Sequence, residues 1–281
     1  MIPLTEIGFS MQTKYDLPLP QVVDLLAQAG FRGVSPLWSA ELDTALLKRC
    51  VDKQGMVIQS FHAPHGGLTY LWNSQTPQSA PTAKNITDCI DACVQYQVPL
   101  MVMHGWQGLK YTFPPVLDLS VFDHIVDYAE KKQISIAFEN LEGEEYLGAL
   151  LARYNNRPHI GFCWDSGHDN CYPHKTDFLK AYGQKLIMTH LNDNYGQRDP
   201  SAPPTGDDDL HFLPFDGNLP WAELIARMKD LPRQKMLNFE LKKRSISKAP
   251  KDLIYDSLTL EEFLLLAGQR ARQIADLYDA L

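Results

Sequence analysis

Four short strand-like runs in this chain each end on a side chain that can bind a metal ion. Ile134–Phe138 runs into Glu139, His159–Trp164 into Asp165, Leu186–Thr189 into His190 and Lys235–Phe239 into Glu240. Each run is apolar or β-branched, and a polar loop and then a segment of helical period follow it. One carboxylate at a strand end carries little information. Two glutamates, an aspartate and a histidine at equivalent points of successive units are expected to converge at one end of one sheet. Together they make a hard, mixed oxygen–nitrogen site for a divalent cation. Unit charges ~4 Å apart interact by ~4 kcal/mol at an effective dielectric of ~20, so three converging carboxylates need cations or protons among them. A divalent ion removes that repulsion and supplies a Lewis acid.

The chain has nine histidines, and several extend the same pattern. His62 and His104 end the third and fourth strand-like runs. His168 lies three residues beyond Asp165, in WDSGH, and His211 two beyond Asp209, in DDDLH. A lone strand-end histidine more often caps a strand or bonds to backbone than binds an ion. Five of them beside Glu139, Asp165 and Glu240 read as ligands. His65 and His174 sit in or beside loops at the same end, while His124 looks helical and His159 opens a strand at the opposite rim.

The elements that must position these residues alternate along the whole chain. Strand-like runs are Thr5–Phe9, Gly33–Leu37, Val57–Phe61, Leu100–Met103, Ile134–Phe138, Ile160–Trp164, Leu186–Thr189 and Lys235–Phe239. Helical period marks Gln21–Ala29, Glu41–Gln54, Thr82–Gln97, Leu117–Lys132, Glu144–Tyr154, Thr176–Tyr182, Trp221–Lys229 and roughly Leu258–Leu281. In the fourth of these, apolar residues at 121, 122, 125, 126 and 129 predict one buried stripe. Alternating strands and helices imply parallel pairing through right-handed crossovers. About eight such units favour an α/β fold of the closed (β/α)8 type, with catalytic residues at the C-terminal strand ends. No Gly-rich phosphate loop of either common kind supports an open, doubly wound sheet.

At 281 residues the chain matches one such barrel, typically ~250 residues, so residues 1–281 are expected to form one domain. A net charge of −8 argues against a large nucleic-acid footprint. Five cysteines without a CxxC pair point to reduced thiols in a cytoplasmic protein. The opening MIPLTEIGFS has neither a basic n-region nor a long apolar run, so no leader is expected, and no run approaches a membrane span.

The motifs SFHAPHG, MVMHGW, IAFENLEG, CWDSGHDN, MTHLNDN, DDDLHFLPFDGNLPW and MLNFELK carry a resemblance that covers essentially the whole chain. It is to the xylose isomerase-like TIM barrels, which include sugar-phosphate isomerases and epimerases, ketose 3-epimerases and endonuclease IV. The resemblance to ketose 3-epimerases implies a metal held by Glu139, Asp165, His190 and Glu240, with Glu139 and Glu240 also acting as the acid/base pair. The resemblance to endonuclease IV, which binds three zinc ions, implies further ligands or substrate contacts at His62, His104, His168, Asp209 and His211.

The loops decide between these relatives. A nuclease at abasic sites must grip phosphates with several Arg or Lys residues. SMQTKYD, WSAELD, APHGGLTYLWNSQTPQ and NDNYGQRDPSAPPTGDDD offer Lys14, Arg198 and little else, and the run Asp207–Asp209 would repel a phosphate backbone. Lys242–Lys251 reads as a solvated loop. The scarcity of basic loop residues also argues against a phosphate on the substrate. The loops are instead aromatic, with Trp38, Tyr70, Trp72, Trp106, Tyr111 and Tyr195, which suits the C–H faces of sugars. Some of these aromatics could equally cover the mouth or form a contact in a homo-oligomer.

The expected function is a metal-dependent sugar isomerase or epimerase working on an open-chain ketose through an enediolate, with Glu139 and Glu240 moving the proton. The cofactor expected is a divalent ion, Mn, Zn, Mg or Co, with histidine favouring Zn or Mn. Trp38, Trp106 and Arg198 are expected to contact substrate, with Glu145 a weaker helper. Alternatives are abasic-site phosphodiester cleavage and a lyase or dehydratase acting on a keto-cyclitol. No nucleic-acid or membrane partner is expected.

Overall fold

The computed structural model describes residues 4–107, 109, 117–202, 204–244, 247 and 249–281. Nine strands are found among them: β1 (Glu6–Met11), β2 (Gly33–Pro36), β3 (Val57–Ile58), β4 (Phe61–His62), β5 (Leu100–His104), β6 (Ser135–Glu139), β7 (Ile160–Asp165), β8 (Leu186–His190) and β9 (Met236–Phe239). All pair in parallel, in two arcs ordered β3-β2-β1-β9 and β4-β5-β6-β7-β8. Both seams between the arcs are closed. At one, β3 and β4 are two pieces of a single run, and Leu37 bridges His62. At the other, Leu191 bridges Phe239, and the Glu240 amide donates to the Leu191 carbonyl at 3.1 Å. The result is the closed (β/α)8 barrel expected from the alternation of elements.

Every strand-like run of the sequence becomes a stave, and only the third is broken. Its middle residues turn their side chains to other staves. Gln59 accepts from Asn238 at 3.1 Å, and Ser60 donates to Ser35 at 2.9 Å. The run therefore leaves β2 before it joins β5.

The period-two alternation of strands sorts the apolar residues into two cores. Met101, Met103, Ile136, Phe138, Phe162 and Trp164 pack in the large core beneath the helices. Leu100, Val102, Ala137, Cys163 and Met188 form a separate cluster inside the barrel. Two residues beyond the last four of these stand His104, Glu139, Asp165 and His190, which places all four in the next inward layer. β8 reaches that register through a bulge. Phe162 pairs with Leu186 but Cys163 with Met188, so Ile187 is the extra residue and is 39% exposed. Beyond the bulge Asp165 stands opposite His190.

The helices are α1 (Leu19–Gln28), α2 (Thr44–Lys53), α3 (Ser79–Tyr96), α4 (Ser120–Lys131), α5 (Glu144–Arg153), α6 (Ser166–Cys171), α7 (Phe178–Tyr182), α8 (Trp221–Ala226) and α9 (Leu260–Asp279). In α4 the predicted stripe is buried at Phe122, Ile125, Val126 and Ala129, and only Val121 is left half-buried. α9 opens on a capping box in which Thr259 and Glu262 each satisfy the other's backbone amide. α6 has no counterpart among the predicted helices. It starts directly on Asp165, whose carboxylate caps it by accepting from the His168 amide at 2.7 Å. The five cysteines carry no disulfide. No helix among the described residues is long and apolar enough to cross a membrane.

Candidate metal centre

Glu139, Asp165, His190 and Glu240 each offer a ligand atom within 4.8 Å of the other three. His190 Nδ1 stands 3.0 Å from a carboxylate oxygen of both Glu139 and Glu240. These contacts are short but not aligned as hydrogen bonds, and both ring nitrogens of His190 are buried without a hydrogen-bond partner, as is Glu139 Oε1. Buried polar atoms left so are costly, and a cation held by His190 Nδ1 and the neighbouring carboxylates would satisfy that nitrogen. The donor set therefore fits a divalent ion.

Two more groups of donors share residues with this one or lie beside it. His62 Nε2 and His104 Nε2 each lie 3.3 Å from Glu139 Oε2. His168, Asp209 and His211 form a third group, with Asp209 Oδ2 at 3.3 Å from His168 Nε2 and 3.0 Å from His211 Nε2. His168 Nδ1 also approaches Glu139 Oε1 at 3.3 Å, so Glu139 links all three groups.

Backbone carbonyls set the histidine tautomers. His62 Nδ1 faces the Ala63 carbonyl at 2.8 Å, His168 Nδ1 the Asn140 carbonyl at 2.9 Å, and His211 Nδ1 the Glu240 carbonyl at 3.0 Å. With Nδ1 held by a carbonyl, each ring turns its Nε2 toward a carboxylate of the cluster, where it can carry a proton or give that proton up to an ion. That is the usual outer support of a metal-binding imidazole. His211 is held with φ at +51°, a left-handed conformation that costs a non-glycine residue energy and recurs at functional sites.

Buried amides fix the carboxylates. Asn140 donates to the Asp165 carbonyl and accepts from its amide, both at 2.8 Å. Asn192 donates to both Asp165 oxygens. The next residue, Asp193, anchors the long loop that carries Asp209 and His211. Its backbone pairs with Phe212, and its carboxylate accepts from the Asn194, Phe215 and Leu219 amides and from the Trp221 indole.

The charges are balanced within the cluster. Burial opposes ionisation of Glu139, but His190, His104 and His168 hold its carboxyl well below the usual range. Burial pushes Asp165 up to about 6, against the pull of His168. His168 lies well above the ordinary histidine range despite burial, because Asp165 and Asp209 face it. Protons on histidine thus do the neutralising that a cation would take over, with their release.

The structure brings together Glu139, Asp165, His190, Glu240, His62, His104, His168, Asp209 and His211, all expected at the centre from the sequence. It sets others apart. Arg198 is committed to Asp208, Asp252 and the Asp207 carbonyl, so it braces the loop instead of reaching a substrate. Trp106 is buried and stacks on Tyr146 with centroids 3.9 Å apart. Trp72 is buried too, its indole donating to the Gly105 carbonyl at 2.7 Å. Trp38 is half-buried against the core. Tyr111 lies outside the described residues. Glu145 is exposed on α5.

Two features went unassigned in the sequence. His65 packs against His62 and His104, with ring centroids 4.6 and 5.0 Å away, and can join them as a donor. Its i,i+3 spacing from His62 in HAPH was the available signal. Lys242 is not part of a merely solvated loop. It is partly buried, with Nζ 3.8 Å from Glu240, and lines a cavity of ≈ 380 Å³ together with His62, His65 and Glu240. Trp38, Trp106 and Arg198 do not line that cavity.

Comparison with known proteins agrees with this architecture. The family model described as xylose isomerase-like TIM barrel matches residues 23–262. The chain is 26% identical to the uncharacterized protein y4fM of Sinorhizobium fredii over 267 residues, covering 80% of this chain and 82% of that one. A crystal structure of IolI protein with a binding zinc atom superposes with a TM-score of 0.72 at 16% identity, over 97% of this chain and 98% of that one. D-allulose 3-epimerase from Methylomonas sp., in complex with D-allulose, gives 0.70 at 17% identity, over 98% of each chain. The chain belongs to the xylose isomerase-like TIM barrel family.

Proposed function

We propose that this protein is a divalent-metal-dependent sugar isomerase or epimerase that moves a proton at the carbon next to a ketose carbonyl. One observation carries the reading: two carboxylates, Glu139 and Glu240, each stand 3.0 Å from His190 Nδ1 in one cluster that also holds Asp165. The neighbours that support it are an epimerase seen with D-allulose and an IolI protein seen with zinc.

Glu139, Asp165, His190 and Glu240 would hold the ion. When bound, it would polarise the carbonyl and stabilise the negative charge that develops as the proton leaves. One of Glu139 and Glu240 takes the proton, giving an enediolate, and the other returns one from the opposite face. His168 orients a substrate oxygen or holds a second ion.

The test is turnover of a panel of ketoses by metal-supplemented protein in D2O, followed by NMR. Deuterium is expected at the carbon next to the carbonyl of a product epimer or isomer. Glu139→Gln and Glu240→Gln are each expected to cost about 10²-fold or more, the scale for an acid/base group. Metal content must be measured alongside, since both are also donors. Near-normal turnover in both variants with metal retained would remove the acid/base assignment.

A second reading has one observation in its favour: several donor groups adjoin one another, nearly a full three-metal set, which would suit hydrolysis of a phosphoester by a metal-activated water. Incision of an abasic-site duplex at physiological salt, at the rate of a repair nuclease, would establish it over the sugar reading.

A further inference from the structure

We infer that the cavity beside the ligand cluster receives an anionic substituent of the substrate, a phosphate monoester or a carboxylate, held by Lys14, Lys242 and Arg244. The inference rests on the isomerase or epimerase reading of the same site, and narrows its substrate to a charged sugar.

The three cations come from two loops that the barrel sets side by side. β1 and β9 pair with Phe9 opposite Phe239, so the segment after Met11 and the segment after Phe239 leave the barrel together. The first brings Lys14 and the second brings Lys242 and Arg244 to one cavity wall. The Lys242 amide donates to the His211 carbonyl at 3.0 Å, which ties this wall to the loop bearing the third donor group. Ser10 and Ser35 add hydroxyls, and Met11, Leu37 and Leu241 add apolar surface.

The charge count at this wall runs against the composition. The whole chain carries −8, yet the one carboxylate among the described residues lining the cavity is Glu240. Glu240 already faces His190 and His211 and serves the ion site. Outside the lining, Asp256 Oδ1 is 3.9 Å from Arg244 Nε, an exposed and weak pairing, and Glu139 is engaged by His62 at 3.3 Å. Three cations facing one shaped cavity form a site for negative charge, and the planar guanidinium of Arg244 suits the paired oxygens of carboxylate or phosphate. A volume of ≈ 380 Å³ falls in the usual range for a small-molecule site and opens directly onto His62, His65 and Glu240. A sugar with its reacting end at the cluster thus has its charged end at the wall. The basic residues are few along the sequence, but the fold collects them.

The experiment uses the metal-loaded full chain and isothermal titration with four probes: D-fructose, D-fructose 6-phosphate, 5-keto-D-gluconate and inorganic phosphate. At least one charged sugar is expected to bind about 10-fold or more tightly than D-fructose, and which one separates phosphate from carboxylate. The double variant Lys14→Met/Arg244→Met, at two exposed positions, is expected to lose that advantage with its metal content unchanged. Equal binding of charged and neutral sugars overturns the inference. So does an advantage that survives the double variant in full, because two of the three proposed cations are then gone. Phosphate binding lost in the variant, with no sugar turned over, upholds the anion site and fails the sugar reading alone. Turnover of a neutral ketose with no anion preference does the reverse.

Discussion

Asn192 donates its side-chain amide to both carboxylate oxygens of Asp165, at 3.1 and 2.9 Å, and so fixes the rotamer of a residue that also caps α6. The support is packed tightly. A Cβ on Gly167 would stand 1.8 Å from Asn192 Oδ1, so only glycine leaves the amide its place.

Asn192→Ala and Gly167→Ala are therefore expected to weaken ion binding at the cluster by about 10- to 100-fold, the usual cost of losing an outer support. Equilibrium dialysis with Zn or Mn measures this. Wild-type affinity in both variants would mean that Asp165 needs no orientation.

Removing the third donor group should be separable from removing the first. Asp209→Ala with His211→Ala is expected to lower the number of bound ions per chain while Glu139, Asp165, His190 and Glu240 still hold theirs. Elemental analysis after dialysis reads the stoichiometry. An unchanged count would show that the third group is only a hydrogen-bonded network.

His174 gives a pH dependence outside the cluster. Its Nδ1 faces the Thr176 carbonyl at 2.7 Å and its Nε2 the Asp169 carbonyl at 2.8 Å, an arrangement that needs both nitrogens protonated. The Asp169 carboxylate, 2.9 Å away, raises its pKa to about 9. A raised folded-state pKa stabilises fully below the unfolded value near 6.5, and the gain is lost as pH rises through about 9. His174→Gln should accordingly lower the unfolding midpoint at pH 6 and leave little difference near pH 10. Thermal melts across that range decide it, and a pH-independent difference would rule out the charged form.

How the site reads from sequence depends on the distance over which each residue acts. The four ligand-ended strands were legible because a strand end is a local signal, and the barrel then carries Glu139, Asp165, His190 and Glu240 to one place. His62 and His104 followed from strand ends and His168 from its place near Asp165, whereas Asp209 and His211 followed only from the resemblance to endonuclease IV. Arg198 was misread because its partner Asp252 lies 54 residues away, and nothing in the loop composition announces that bond. Lys242 and Arg244 were set aside because their role depends on β1 and β9 being neighbours. Trp72 and Trp106 looked like loop aromatics, but each finds a buried partner that the sequence does not mark. α6 is six residues long and starts directly on the strand-end Asp165, so no helical period marks it in the sequence.

Packing gives a stability prediction. A Cβ on Gly268 of α9 would come 2.0 Å from the Ala29 carbonyl at the end of α1. Gly268→Ala must push the two helices apart and is expected to cost roughly 1–3 kcal/mol, the usual scale of overpacking. Urea titration with an unchanged m-value is the check, and a midpoint equal to wild type would show that the contact yields freely.

The metal centre itself is tested most directly by anomalous diffraction from crystals of the protein supplemented with Zn or Mn, collected at the metal edge. The expected result is an anomalous peak bonded to Glu139, Asp165, His190 and Glu240. Its absence there, with these side chains turned away from one another, would contradict the metal-centred account.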